Sequence, residues 1–299
     1  MAVKQSVLGI SLSDKSLQAV EIEQDGNSNT LTAIDEWENT FATNKEDDGS
    51  GEAKFVDYLT AFMKVNRVKA KKVSVALDTA HLVLNTIPME DSLSRIELNE
   101  HTNWELSQLF PETQPKEFVT DVHVLTQHQS DHWNEVLSVS VRRSDAYRIQ
   151  RAVTKLGLDL HVLDVDHFSA DTALRTNYPD TNRKYLALVG VKENRLDISL
   201  IKNGNMESYS YCVVQSDKEI VDQIANLARE TKGIYSITVY GPYLDKDLLV
   251  QIRRASTMLI EALNPLRHVK VADSLRLAEH LTVPSYRFAS AVGVALRRE

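Results

Sequence analysis

A single cysteine, Cys212, rules out an intramolecular disulfide, and with no second thiol it rules out a cysteine-based metal site as well. Its expected role is a small buried hydrophobe in a reduced compartment. No run of about 18 apolar residues occurs, so no segment is expected to cross a bilayer as a helix. Residues 1–6 lack the apolar stretch of a signal peptide. Positive charge is not in excess either: 34 Lys and Arg stand against 42 Asp and Glu, a net charge of -8. No basic patch is interleaved with aromatics, which argues against nucleic-acid binding. The expectation is a cytoplasmic chain that reaches a membrane only through a partner.

What is present is 299 residues, 42% of them hydrophobic, enough for about two domains with separate cores. Residues 6–12, 18–23 and 30–38 read as a three-strand meander. Apolar and polar residues alternate in the second strand, and Gly26 and Asn27 mark the second turn. Residues 44–52 form a polar loop that lacks the terminal Glu of a calcium loop. Phe55, Leu59, Phe62 and Met63 recur at helical spacing, and strands are expected at 73–77 and 82–88. A helix over 96–109 is announced by Ser94 with Glu97 three residues on, and Phe110-Pro111 ends it. Strands at 118–125 and 136–141, a helix over 144–156 closed by Gly157, a strand at 160–165 and a helix from 168 follow.

The polar stretch 177–183 is the expected main boundary. Beyond it the meander recurs at 186–191, 195–202 and 206–213, then a helix over 217–231, a strand at 236–240, a helix over 247–259, a short strand at 269–271 and a last helix over 286–298. One unit is thus read twice, as a repeat of pattern and not of sequence. The expected fold is α/β, two halves facing a cleft, with two unrelated α+β domains as the alternative.

Several short segments carry a family resemblance by their order and spacing. Residues 8–22, ending in Val20-Glu21-Ile22, resemble the opening strand–turn–strand of the PilM family of type IV pilus assembly proteins. Trp104-Glu105, Phe110-Pro111, Glu117-Phe118 and Asp121 resemble its helix, break and next strand. Leu156-Gly157-Leu158 with Val162-Leu163-Asp164-Val165, and Asn264-Pro265 with 288–297, resemble its later segments. The resemblance implies a duplicated ribonuclease-H-like, actin-like fold. It puts the first domain at 1–176 with an inserted α+β subdomain at about 82–158, as in PilM and the related FtsA. A reduced second domain follows at 183–285, and the helix 286–299 crosses back to the first. In that helix Ala289, Gly293 and Ala295 permit close packing, and Phe288, Val292 and Leu296 make the apolar face.

The same resemblance implies two phosphate loops and an adenosine loop, each needing glycine where backbone approaches the nucleotide. Here the loops depart from that pattern. In the first, Ser11 stands at the acid position, Ser13 at the glycine and Gln18 at the lysine, leaving Lys15 and Ser16 as the residues in reach of a phosphate. In the second, Gly190-Val191-Lys192 replaces Asp-Ile-Gly, Glu193 is the nearest substitute carboxylate, and Asp197 is expected to cap its strand. In the third, only Gly241 remains, before Pro242, which donates no N–H. One helix is expected between the second and third loops, a shortened form that resembles the cytoplasmic part of the type II secretion protein GspL and the related pilus protein MshI.

Hence no cofactor is expected, and no catalytic or metal residue is assigned. The implied role is an assembly platform that binds the cytoplasmic N-terminal tail of a PilN-like inner-membrane protein near Trp104, Leu106 and Phe110, with self-association open. The alternatives are an actin-like ATPase or sugar-kinase-like phosphotransferase holding Mg–ATP, and a scaffold of unrelated function. The cluster His123, His128, Asp131 and His132 lacks zinc spacing and reads as a solvated loop. Asp164 and Asp166 read as strand-end structure, although a catalytic pair in a ribonuclease-H-like core has the same pattern.

Overall fold

The computed structural model describes residues 4–13, 15–26, 28–39, 41, 50–127, 132–275 and 283–297. The opening meander is β1 (Gln5–Leu12), β2 (Ser16–Asp25) and β3 (Ser28–Glu38), all antiparallel. Helix α1 (Ser50–Asn66) follows, with Phe55, Leu59 and Phe62 buried as their spacing requires. Strand β4 (Lys72–Leu77) then lies parallel to β1, and β8 (Asp159–Val165) parallel to β4.

Between β4 and β8 the chain makes β5 (Val83–Glu90), α2 (Arg95–Leu109), β6 (Phe118–Gln127), β7 (Trp133–Arg142) and α3 (Arg143–Lys155). The three strands form their own sheet, in the order β5-β7-β6. Ser94 and Glu97 make the reciprocal capping box that opens α2. Helix α3 sides with the main sheet instead: Ile149, Ala152 and Val153 are buried in one core with Phe55, Leu59 and Val75. The separate layer is therefore β5 to β7, narrower than the 82–158 expected for the insert.

Helix α4 (Asp166–Asn177) leads to the second meander, β9 (Tyr185–Val191), β10 (Arg195–Lys202) and β11 (Asn205–Val213). Then come α5 (Asp217–Glu230), β12 (Ser236–Tyr240), α6 (Lys246–Ala255) and β13 (Ile260–Ala262). The helix expected to reach 259 stops at Ala255, because Ser256 turns the chain into β13. The second sheet runs β11-β10-β9-β12-β13, and the first contains β3-β2-β1-β4-β8. Order and direction match strand for strand, so the duplication read from pattern is present in topology.

Strand β14 (Val269–Val271) departs from expectation. Its place in the sequence predicts the second half, yet it pairs parallel with β3 and forms the far edge of the first sheet. The last helix, α7 (Ala289–Leu296), crosses to the first half and lies between β1 and α4. Phe288, Val292 and Leu296 share a core with Val7, Val20 and Ile22. Gly293 faces α4 so closely that an added Cβ would fall on the Ser169 carbonyl oxygen. Gly293→Ala is expected to cost about 3 kcal/mol, since backbone and not a movable side chain fills the space. Urea unfolding with a lowered midpoint and an unchanged slope checks this.

Candidate functional site

The two halves meet over a buried lysine. The hairpin between β9 and β10, closed by the Lys192 N–H donating to the Arg195 carbonyl at 3.0 Å, carries the Lys192 side chain toward the first half. Asp78 and Thr79 follow β4 directly, Asp166 opens α4 where β8 ends, and Asp197 sits on β10. The carboxyl ends of parallel strands are where α/β sheets place their sites. The Lys192 ammonium lies 2.6 Å from Asp78 Oδ1, 2.6 Å from Thr79 Oγ1, 2.8 Å from Asp197 Oδ2 and 2.9 Å from Asp166 Oδ2. The lysine side chain is 8% exposed.

Charge inside this box is strongly perturbed. Burial works to deprotonate Lys192, but Asp166, Asp78 and Asp197 outweigh it and hold the ammonium above its ordinary value. Burial also pushes the Asp166 carboxyl up, to about 7; Lys192 opposes that rise, and Asp78 and Asp197 add to it. Burial would raise Asp197 too, yet Lys192 and Arg195 more than offset it and keep this carboxylate ionised. Arg195 Nε donates to Asp197 Oδ1 at 2.9 Å, and the Tyr209 hydroxyl donates to the same oxygen at 2.7 Å.

Behind the box lies a second polar layer. His167 Nδ1 is 2.8 Å from the Tyr240 hydroxyl and Nε2 is 2.8 Å from Ser199 Oγ. Burial drives its pKa down to about 4, so the ring is neutral, with one nitrogen donating and the other accepting. The Tyr240 hydroxyl covers Gly190, at 2.8 Å from where a Cβ would stand. Gly241, at φ +132°, is packed onto the Val191 carbonyl. Both glycines therefore serve contacts within the chain.

In front of the box a cavity of about 440 Å³ opens between the halves. Its cations are already paired. Lys15 meets Glu193 at 2.6 Å across the cleft, Arg287 meets Glu36 at 3.0 Å, and Arg195 and Lys192 are held as described. Ser13 Oγ accepts from the Ser16 N–H at 3.1 Å and simply closes its own turn. Thus Ser13, Lys15, Ser16, Lys192 and Glu193 do line one cavity, while Gly190 and Gly241 lie behind it.

A second concave surface lies where β8 faces the three-stranded sheet. Strand β8 is one edge of its sheet and β6 one edge of the three-stranded sheet. The two edges face a common groove of about 420 Å³, lined by Leu77, Leu82, Val119, Val139, Val141, Leu163 and Phe168. A more polar hollow of about 710 Å³ shares His123, Phe168 and Arg297 with it. None of Trp104, Leu106 and Phe110 lines this groove. Trp104 is exposed on α2 beside His101, Leu106 is buried, and Phe110 packs on Phe118 at 5.4 Å between ring centres.

Other sequence readings fall as follows. Asp197, expected to cap its strand, has no exposure and belongs to the box. Asp166, read as strand-end structure, belongs there as well, while Asp164 accepts from Ser169 Oγ at 3.0 Å and pairs with Arg297. His123 lies 3.9 Å from Asp121 and His132 3.7 Å from Asp91, so these two histidines serve different carboxylates. His128 and Asp131 lie outside the described residues, as does most of the loop 44–52. Cys212 is half-buried against the second core, and burial raises its thiol. Asp78, Thr79, His167, Ser199, Tyr209 and Tyr240 complete the site without belonging to any motif of the sequence. Only Asp78 carried a local signal, a carboxylate just beyond an apolar strand.

Among solved structures the chain is similar over its whole length to one from a PilM-PilN type IV pilus biogenesis complex, with 17% identity, 99% of each chain covered and a TM-score of 0.80. A Bacteroides thetaiotaomicron protein of actin-like ATPase fold gives 12% identity over 87% of this chain and 91% of that one, at 0.54. The cytoplasmic domain of EpsL, an inner-membrane component of the Vibrio cholerae type II secretion system, gives 13% over 95% and 100%, at 0.51. No curated protein sequence matches. The fold is therefore the actin-like one. Residues 9–211 match the model of the type IV pilus assembly protein PilM family, and the chain belongs to that family.

The opposed shifts of Asp166 and His167 make a pH test. From about pH 4 to 7 the folded state holds a proton on Asp166 that the unfolded chain releases, so this group makes stability fall as pH rises. From about pH 4 to 6.5 the unfolded chain protonates a histidine that the folded state keeps neutral, so His167 makes stability rise with pH. Each slope is at most about 1.4 kcal/mol per pH unit. In Asp166→Asn the amide replaces the protonated acid and leaves the histidine slope alone. Its thermal midpoint is expected to climb from about pH 4.5 to 6.5 while the parent protein stays nearly flat. A flat profile for the variant would show that His167 is not held neutral.

Proposed function

We propose that this chain is a cytoplasmic platform of a type IV pilus system that takes the N-terminal tail of a PilN-like inner-membrane protein into the groove between β6 and β8, and that its interdomain cleft works without nucleotide. The observation that carries the first part is the pair of open sheet edges facing one apolar trough. An extended peptide satisfies its backbone on a sheet edge and sets alternate side chains into the trough. The similar solved structure is itself that of a PilM-PilN complex. No helix among the described residues is long and apolar enough to cross a membrane, so attachment runs through the partner on this reading.

The actin-like fold implies Mg–ATP in the cleft, and the residues present do not fit it. Gly190 and Gly241 are covered by Tyr240 and Val191, so their backbone is closed to phosphate and base. The cations of the cavity are each bound to a carboxylate, which leaves no surplus positive charge for a triphosphate. Gln18, at the place of the family's lysine, is buried and donates to Glu36 at 3.1 Å. Each missing charged contact is worth about 1.5–3 kcal/mol, and every 1.4 kcal/mol is about tenfold in affinity.

Isothermal titration tests both parts. The tail peptide of a PilN-like protein is expected to bind the parent chain, while Mg–ATP gives no heat. Val119→Glu, on the exposed side of β6, is expected to weaken the peptide by about tenfold or more without lowering the thermal midpoint. Trp104→Ala is expected to leave peptide binding unchanged. Loss of binding in Trp104→Ala with none in Val119→Glu would move the site to α2, and tight Mg–ATP binding would return the chain to the ATPases.

A further inference from the structure

The actin-like fold implies a divalent ion with its nucleotide in the cleft, and the oxygen-rich cluster at the base of this cleft does not fit one. Three carboxylates and a hydroxyl converge on a single point, which is the donor set of a hard cation. The point is taken by Lys192 Nζ. The Thr79 hydroxyl donates to Asp197 Oδ2 at 2.8 Å, which turns its lone pair toward the lysine. The oxygens stand 2.6–2.9 Å from the nitrogen. That spacing suits N–H···O contacts and is wide for magnesium, whose oxygens lie at about 2.0–2.1 Å.

We infer, on the nucleotide-free reading of the cleft given above, that the Lys192 ammonium is the resident cation of this protein, excluding divalent metal from the cleft and holding the two halves together in its place. The contacts divide across the cleft as this role requires. Lys192 and Asp197 come from the second half, Asp78, Thr79 and Asp166 from the first, and two of the three carboxylates reach the ammonium from the opposite side. Because the cation is covalently tethered, the closed arrangement does not depend on the concentration of any ligand. Without the lysine side chain, a box of three carboxylates is left with room for an ion. Calcium, with oxygen distances of about 2.3–2.6 Å, comes nearest to the spacing already present.

The test compares thermal unfolding of the full chain and two variants in chelator, in millimolar magnesium and in millimolar calcium. The parent midpoint is expected to be the same in all three. Lys192→Ala is expected to lose about 10 °C, as removal of one partner of a buried charge pair does. Calcium should restore most of that loss, and magnesium less. Lys192→Met, which fills the space with an apolar chain of similar length, is expected to lose as much and to regain nothing. Should Lys192→Ala fail to fold alone, refolding from urea with calcium is expected to recover its circular dichroism. An Ala variant as stable as the parent, an Ala variant that calcium neither stabilises nor refolds, a Met variant rescued as well as Ala, or a parent chain stabilised by calcium would each overturn the inference. Titration of the parent with Mg–ATP separates the two readings. Tight binding there sinks the nucleotide-free cleft, whereas silence there together with an unrescued Ala variant sinks only the role of Lys192.

Discussion

A lysine ammonium removed from water must be surrounded by negative charge or lose its proton, and Lys192 is surrounded from both halves of the molecule. That requirement organises everything near the cleft. It accounts for a hairpin that points its side chain inward, for carboxylates just past the ends of β4 and β8, and for Arg195 and Tyr209 behind Asp197. Buried polar groups carry a penalty when left unpaired. The His167, Tyr240 and Ser199 layer completes the pairing down to the floor of the cleft. In that second layer the Tyr240 hydroxyl also packs onto Gly190.

The halves are joined a second way. After β13 the chain returns to the first sheet, adds β14 beside β3, and ends with α7 packed between β1 and α4. Gly293 makes that packing possible because no side chain separates the helix from α4. One edge of the first sheet is thereby covered by β14, while the other, β8, stays open toward β6. An open edge beside apolar side chains is a liability in a protein that acts alone and an asset in one built to receive an extended segment.

The actin-like fold accommodates both uses of its cleft, since function resides in the site and not in the architecture. In this chain the fold is retained across the whole length, and Lys192 with its carboxylates lies at the base of a cleft that keeps an open cavity.

Local physics made much of the fold legible. The helical spacing of Phe55, Leu59 and Phe62, the capping box at Ser94 and the Phe288, Val292, Leu296 stripe each depend on neighbours within a few residues, and each stands in the structure; the alternation in β2 misled, because Gln18 and Glu21 are buried along with their apolar neighbours. What the tertiary structure alone decided was where residues distant in sequence meet. Asp78 and Lys192 are 114 positions apart, and nothing in either segment marks them as partners. The place of β14 at the far edge of the first sheet, the groove between β6 and β8, and the absence of Trp104 from it belong to the same category. A periodic pattern tells which face of an element is buried. Only the packed chain determines what that face is buried against.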